Sequence, residues 1–153
     1  MILSGCSSEG PTVQDHRGRD PHSFSRPDEV AVSHLDLDIE VDPSQQRIRG
    51  KATLRLENRT GASRLFLDTR DLDIDRVTSG EQEREAHFSL GESVPFLGRP
   101  LIIELEPDTT VVQVHYATRP EAAALQWLDP EQTSGGKAPF LFTQSQAILA
   151  RTW

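Results

Sequence analysis

The sequence predicts an all-β domain of antiparallel sheets, arranged as a sandwich or an open barrel. Three observations lead there. Apolar and polar residues alternate at period two along the first long stretches of the body. Turn residues (Asp-Pro-Ser, Ser-Gly, Gly-Arg-Pro, Pro-Asp) recur between short apolar segments at near-regular spacing. Only one short stretch, residues 120–128, is rich in helix-favouring residues.

The elements follow in order. In VSHLDLDIEV (32–41) the apolar set is Leu35, Leu37, Ile39 and Val41, and His34, Asp36, Asp38 and Glu40 take the other face. This alternation predicts a half-buried strand. Asp42-Pro43-Ser44 ends it, because proline presets its own dihedral and Asp and Ser favour turns. Ile48, Gly50, Ala52, Leu54 and Leu56 then alternate with Arg47, Arg49, Lys51, Thr53, Arg55 and Glu57, which predicts the return strand of a hairpin. One polar row is acidic and the other basic. Opposite charges across a hairpin contribute roughly 0.2–1 kcal/mol per pair. Further strands are expected over 64–68, 72–77, 86–90, 101–106 and 110–118. A loop is expected over 129–139, and a last extended segment over 140–148.

Composition removes several functions. A chain of 153 residues is long enough for one domain with a real core; at this size folding removes roughly 68–70% of the surface of the unfolded chain from water. A single cysteine excludes an intrachain disulfide and a cysteine-based zinc cluster. The net charge of −8 argues against a nucleic-acid partner, which calls for a basic footprint. That charge lies wholly in residues 1–118, since 119–153 carry three basic and three acidic residues. It reads as a solvated strand surface.

Residues 1–20 form a polar tail without apolar period, and residues 21–153 form the body. Within the tail, Leu3-Ser4-Gly5-Cys6 resembles the lipobox of bacterial lipoproteins. That resemblance implies lipid attachment at Cys6, membrane anchoring through it, and a periplasmic or surface location in the bacterial envelope. Only Met1 and Ile2 precede the box, so the apolar signal it needs is expected upstream; otherwise the protein is expected in the cytoplasm.

Catalytic motifs are absent. There is no HExxH, GxSxG or P-loop, and no two of the five histidines have the i, i+4 spacing of a helical metal site. Asp71, Asp73 and Asp75 open like a calcium loop, but Arg76 and Gln82 stand where that loop requires Gly and Glu, so an exposed strand face is expected. Asn58-Arg59-Thr60 is a glycosylation sequon, relevant only in a eukaryotic secretory route. One polar cluster is a candidate binding site: Gln144, Ser145 and Gln146. In an extended segment the two glutamines share a face about 7 Å apart. Each carboxamide offers two donors and an acceptor, which suits a peptide backbone or amino terminus. An edge strand with solvated glutamines is the alternative.

Several segments together carry a resemblance: Asp20-Pro21, HLDLDI (34–39), Ile48-Arg49-Gly50, LDTRDL (67–72) and, above all, LQWLDPEQTSGGKAPFLFTQSQA (125–147). From about residue 20 onward the chain resembles the N-terminal domain of peptidase family M1, the zinc aminopeptidases. The closest subgroup is leukotriene A-4 hydrolase and aminopeptidase B. The resemblance implies a saddle-shaped, sandwich-like antiparallel β domain, of which residues 21–153 would be an incomplete copy cut at its C-terminal end. It implies a separate catalytic domain holding zinc, with no catalytic or metal-binding residue in this stretch. It also implies that Gln144, Ser145 and Gln146 line the substrate cleft, against the N-terminal part of a peptide. The expected function is therefore a substrate-side scaffold, inactive by itself. The alternatives are a stand-alone cell-surface β-sandwich that binds a partner, or a gene fragment without function.

Overall fold

Ten strands make up most of the molecule: β1 (Val30–Asp42), β2 (Arg47–Asn58), β3 (Arg64–Thr69), β4 (Leu72–Ser79), β5 (Arg84–Glu85), β6 (Phe88–Leu90), β7 (Arg99–Glu104), β8 (Val111–Thr118), β9 (Leu125–Leu128) and β10 (Phe140–Thr143). They are seen in a computed structural model that describes residues 20–152. All pairings are antiparallel. A five-stranded sheet runs β1-β2-β8-β4-β5, a three-stranded sheet runs β3-β7-β6, and β9 and β10 form a separate hairpin.

The first hairpin forms as expected and sets its acidic row against its basic one, with Asp38 opposite Lys51, Glu40 opposite Arg49 and Asp42 opposite Arg47. Its turn is held by one side chain. The Asp42 carboxylate accepts hydrogen bonds from the backbone N–H groups of Ser44 (2.9 Å) and Gln45 (3.1 Å) and from the Ser44 hydroxyl. The Ser44 hydroxyl, followed by the Gln45 N–H, holds the Asp42 carboxyl below its ordinary value. On the sheet surface, the hydrogen bond from Lys51 does the same for Glu83. Both carboxyls have lower pKa values folded than unfolded, so the unfolded chain binds more protons. Their contribution is full above the ordinary values of 3.8 and 4.5 and is lost as pH falls through the depressed folded values. Thermal melts between pH 6 and pH 3 should show Tm falling at the acid end, and Glu83→Gln should flatten that fall. An unchanged slope in the variant would sink the assignment.

The core lies between the two larger sheets. Leu54, Leu56, Val77, Val112 and Val114 from the five-stranded sheet meet Leu65, Leu101 and Ile103 from the three-stranded one. Aligned apolar inner faces of this kind are the packing of a sandwich. β8 is central and the most buried strand. Its outward Gln113 is also buried, accepting from the Thr78 hydroxyl at 2.8 Å and donating to the Gly80 carbonyl at 3.0 Å. A smaller cluster of Ile48, Ala122 and Leu125, flanked by Trp127 and Leu141, docks the β9–β10 hairpin on the start of β2.

Three expectations change. Leu35, Leu37, Ile39 and Val41 are not half-buried. They are 50%, 43%, 39% and 43% exposed, because among the described residues nothing covers that end of the sheet. Residues 120–128 do not form a helix. Tight turns place Ala122 and Ala124 in the interior, and β9 gains a ladder opposite β10, which outweighs local propensity. The extended segment ends at Thr143, and the chain turns from Gln144 onward. Within the expected loop, residues Pro130–Gln132 form one 3₁₀ turn, with the Gln132 carboxamide accepting from the Asp129 N–H at 2.9 Å.

The five-stranded sheet opens on its apolar side into a groove of about 550 Å³. Leu37, Leu72, Ile74 and Tyr116 form one wall, and Ser23, Ala147, Ile148 and Arg151 form the other. Gly50 lets the Tyr116 ring lie down on this sheet. A Cβ at residue 50 would stand 2.9 Å from the ring and 3.0 Å from Ile39. The Tyr116 hydroxyl is buried without a hydrogen-bond partner among the described residues, and burial pushes its phenol pKa up.

Candidate functional site

The segment after β10 is built by backbone pairing and then locked by side chains. The Gln144 N–H donates to the Ala124 carbonyl at 2.9 Å, extending the hairpin by one step. The chain then folds back on itself. The Gln144 carboxamide oxygen accepts from the Gln146 N–H at 2.9 Å, and the Ser145 carbonyl accepts from the Leu149 N–H at 2.9 Å. The Gln146–Ala147 peptide bond is cis. A 3₁₀ turn over Leu149–Thr152 follows.

This differs from two glutamines side by side on a strand. Gln144 is exposed, but its carbonyl oxygen is engaged locally, which leaves the NH₂ group for a ligand. Ser145 is half-buried. Gln146 is exposed, and its carboxamide has no partner among the described residues. Of the three, Gln146 is therefore the side chain with both donors and acceptor unengaged. The groove wall begins one residue later, at Ala147.

What holds this turn in place was not legible in the sequence. The Arg151 guanidinium is 7% exposed and donates to three carbonyls: Ile148 (2.8 Å), Leu97 (3.0 Å) and His22 (2.7 Å). It also lies 3.5 Å from the Asp68 carboxylate, which accepts from the Ser23 hydroxyl (2.6 Å) and the Phe24 N–H (2.7 Å). One ion pair thus joins the entering chain, the end of β3, the 94–98 turn and the segment after Gln146. Buried Thr152 adds a tie, accepting from the Ala124 N–H at 3.1 Å. The only sequence signals were Asp68 inside a segment of the family resemblance and Arg151 as one of three basic residues after 118.

The other candidates resolve as follows. Asp73 pairs with Arg119 at 2.9 Å and with Arg47 at 3.6 Å, and Asp75 sits at a bulge of β4, so these two lie on the strand as expected, whereas Asp71 stands before β4 with φ of +57° and pairs with Arg70 at 3.3 Å. The hydrogen bond from Arg119 to Asp73 raises the pKa of the guanidinium. The Asn58 carboxamide caps its own turn, donating to the Ala62 carbonyl and accepting from the Ala62 N–H, both at 2.9 Å. His34, His87 and His115 stand on separate strands or loops. No group of three or more His, Cys, Asp or Glu among the described residues could hold a metal ion. No helix among the described residues is long and apolar enough to cross a membrane. Cys6 and its lipobox-like segment lie outside the described residues.

No protein-family model matches the chain. Individual proteins do. Leucine aminopeptidase 2 of Yarrowia lipolytica is 39% identical over 137 residues, which is 88% of this chain and 21% of that protein. This chain is a relative of the M1 aminopeptidases of the leukotriene A-4 hydrolase group. Leukotriene A-4 hydrolase of Xenopus laevis is 35% identical over 139 residues, 87% of this chain and 22% of that protein. The solved structure of yeast leukotriene A-4 hydrolase with bestatin superposes with a TM-score of 0.81 at 32% identity, covering 91% of this chain and 22% of that one. The chain therefore spans about a fifth of the length of the curated relatives it matches, in the N-terminal part of the M1 aminopeptidase chain. The all-β architecture agrees with that match.

Proposed function

We propose that this chain is the substrate-side β domain of a zinc aminopeptidase, and that it presents Gln146, with Gln144 and Ser145, to the N-terminal part of a peptide. The observation that carries the reading is a free carboxamide on a backbone that is tied down on both sides. Two residues before it, Gln144 leaves the β9–β10 hairpin through a backbone bond to Ala124; the Gln146 N–H is held by the Gln144 carboxamide, and two residues on the Ile148 carbonyl is held by Arg151. A binding group fixed by packed neighbours loses little freedom when it meets a ligand. The similarity to leucine aminopeptidase 2 and leukotriene A-4 hydrolase over nearly the whole body supports the peptide as ligand. Zinc and the water-activating groups belong, on this reading, to the larger part of the relatives' length that this chain does not match.

Two measurements test it. In a full-length aminopeptidase that carries this segment, Gln146→Ala should lower kcat/KM for peptides by roughly 3–10-fold, the loss of one neutral hydrogen bond. Zinc content should stay the same. Unmoved kinetics would remove Gln146 from the cleft. The purified 153-residue chain should show no chelator-sensitive turnover of aminoacyl-p-nitroanilides, and robust turnover would overturn the scaffold role.

A further inference from the structure

Thr152 is fully buried, and its hydroxyl works in both directions. It accepts from the Ala124 N–H at 3.1 Å and donates to the Leu149 carbonyl at 2.8 Å. Each of these residues is bonded onward. The Leu149 N–H donates to the Ser145 carbonyl at 2.9 Å, and the Ala124 carbonyl accepts from the Gln144 N–H at 2.9 Å. These bonds and the backbone between them close a ring that starts and ends at Ala124 and takes in the turn after β10. Gln146 stands within that turn, with its N–H on the Gln144 carboxamide oxygen at 2.9 Å.

Two of the bonds run between backbone groups, which residues of any kind can make. The other two meet at the Thr152 hydroxyl, and only a group that accepts and donates at once closes the ring there. Ala124 is buried just before β9, so its N–H without this partner would bear the cost of desolvation. The Arg151 clamp acts on a different bond. It holds the Ile148 carbonyl and reaches outward to Leu97 and His22. Thr152 ties the turn back to the hairpin from which Gln144 departs.

We propose that Thr152 is a positioning residue for peptide binding: its hydroxyl fixes the backbone from which Gln146 presents its carboxamide. The proposal rests on the cleft role of Gln146 given above. A carboxamide carried on a closed ring has little freedom left to lose when it meets a ligand. With the ring open, each binding event must order the turn again. That cost falls equally on the bound substrate and on the transition state, so it raises KM and leaves kcat alone.

The test is a double-mutant cycle in a full-length zinc aminopeptidase that carries this segment, with trialanine as substrate. Thr152→Val keeps the volume and removes the hydroxyl. It should raise KM about 2–5-fold, with kcat and zinc content unchanged. Thr152→Ser keeps the hydroxyl and should keep the parent KM. In a Gln146→Ala background Thr152→Val should cost nothing more, because the group it positions is gone. Thr152→Cys has a weaker donor and acceptor, so it should fall between, and it carries the same cycle if the valine variant does not accumulate. An unchanged KM in Thr152→Val, a serine variant as impaired as the valine one, or losses that multiply with Gln146→Ala would each overturn the proposal. If Gln146→Ala alone leaves the kinetics unmoved, the cleft reading fails and this proposal with it. If it moves them and Thr152→Val does not, the positioning role alone fails.

Discussion

Arg151→Met lowers the stability of this chain by about 3–5 kcal/mol, the usual cost of removing one partner from a buried ion pair. The change keeps the volume of the arginine stem but strands four groups at once. Asp68, its side chain 17% exposed, loses its counter-charge, and the carbonyls of Ile148, Leu97 and His22 lose their donor. Asp68 keeps its bonds from Ser23 and Phe24, so the double change Asp68→Asn with Arg151→Met should cost less than the two single changes added together. Urea denaturation followed by tryptophan fluorescence reads both, as shifts of the midpoint with the slope unchanged. An Arg151→Met midpoint within error of the parent would show that the clamp is ornamental. In a full-length aminopeptidase the same change should disturb peptide turnover, because the residue after Gln146 starts the segment that the clamp holds.

Gly98→Ala is the second large effect. Gly98 has φ of +85°, a left-handed conformation that costs an L-residue roughly 1–2 kcal/mol. A Cβ there would also stand 2.2 Å from the Thr69 carbonyl oxygen, a backbone atom that cannot move aside alone. Together with the roughly 1–3 kcal/mol of overpacking, the loss should reach about 2–5 kcal/mol. The local consequence is specific. Gly98 closes the turn that begins at Val94, and Leu97 in that turn supplies a carbonyl to Arg151. Amide exchange should therefore quicken over both 94–98 and 147–152. Loss of protection confined to 94–98 would uncouple the turn from the clamp.

Much of the fold was legible because it rests on local chemistry. Period-two alternation, a turn at Asp42-Pro43-Ser44 and opposite charge rows predicted the first hairpin; the bulge between Val32 and His34 and the Asp42 cap came from the structure. Local chemistry also misled. The run Pro120–Leu128 favours a helix by composition, yet Leu125–Leu128 becomes a strand because Phe140–Thr143 lies opposite it, a contact made across an intervening loop. The glutamine cluster was visible as a polar island, but extended geometry was the wrong backbone for it. The segment that follows this turn is held at Ile148 by Arg151, whose acceptor His22 lies 129 residues away.

The charge rows show the division most clearly. The alternation by itself determined that β1 and β2 are strands, which residues share a face, and that acid would oppose base. Only the tertiary structure decided where the basic side chains turn. Because β4 and the turn after it bring Asp73, Glu81 and Glu83 within 4 Å, three of the β2 cations, Arg47, Lys51 and Arg55, pair there rather than with the acids of β1. Which face is apolar is a property of spacing along the chain. Whether that face is covered depends on what packs against it, and Leu35–Val41 stay exposed because no second layer among the described residues reaches them.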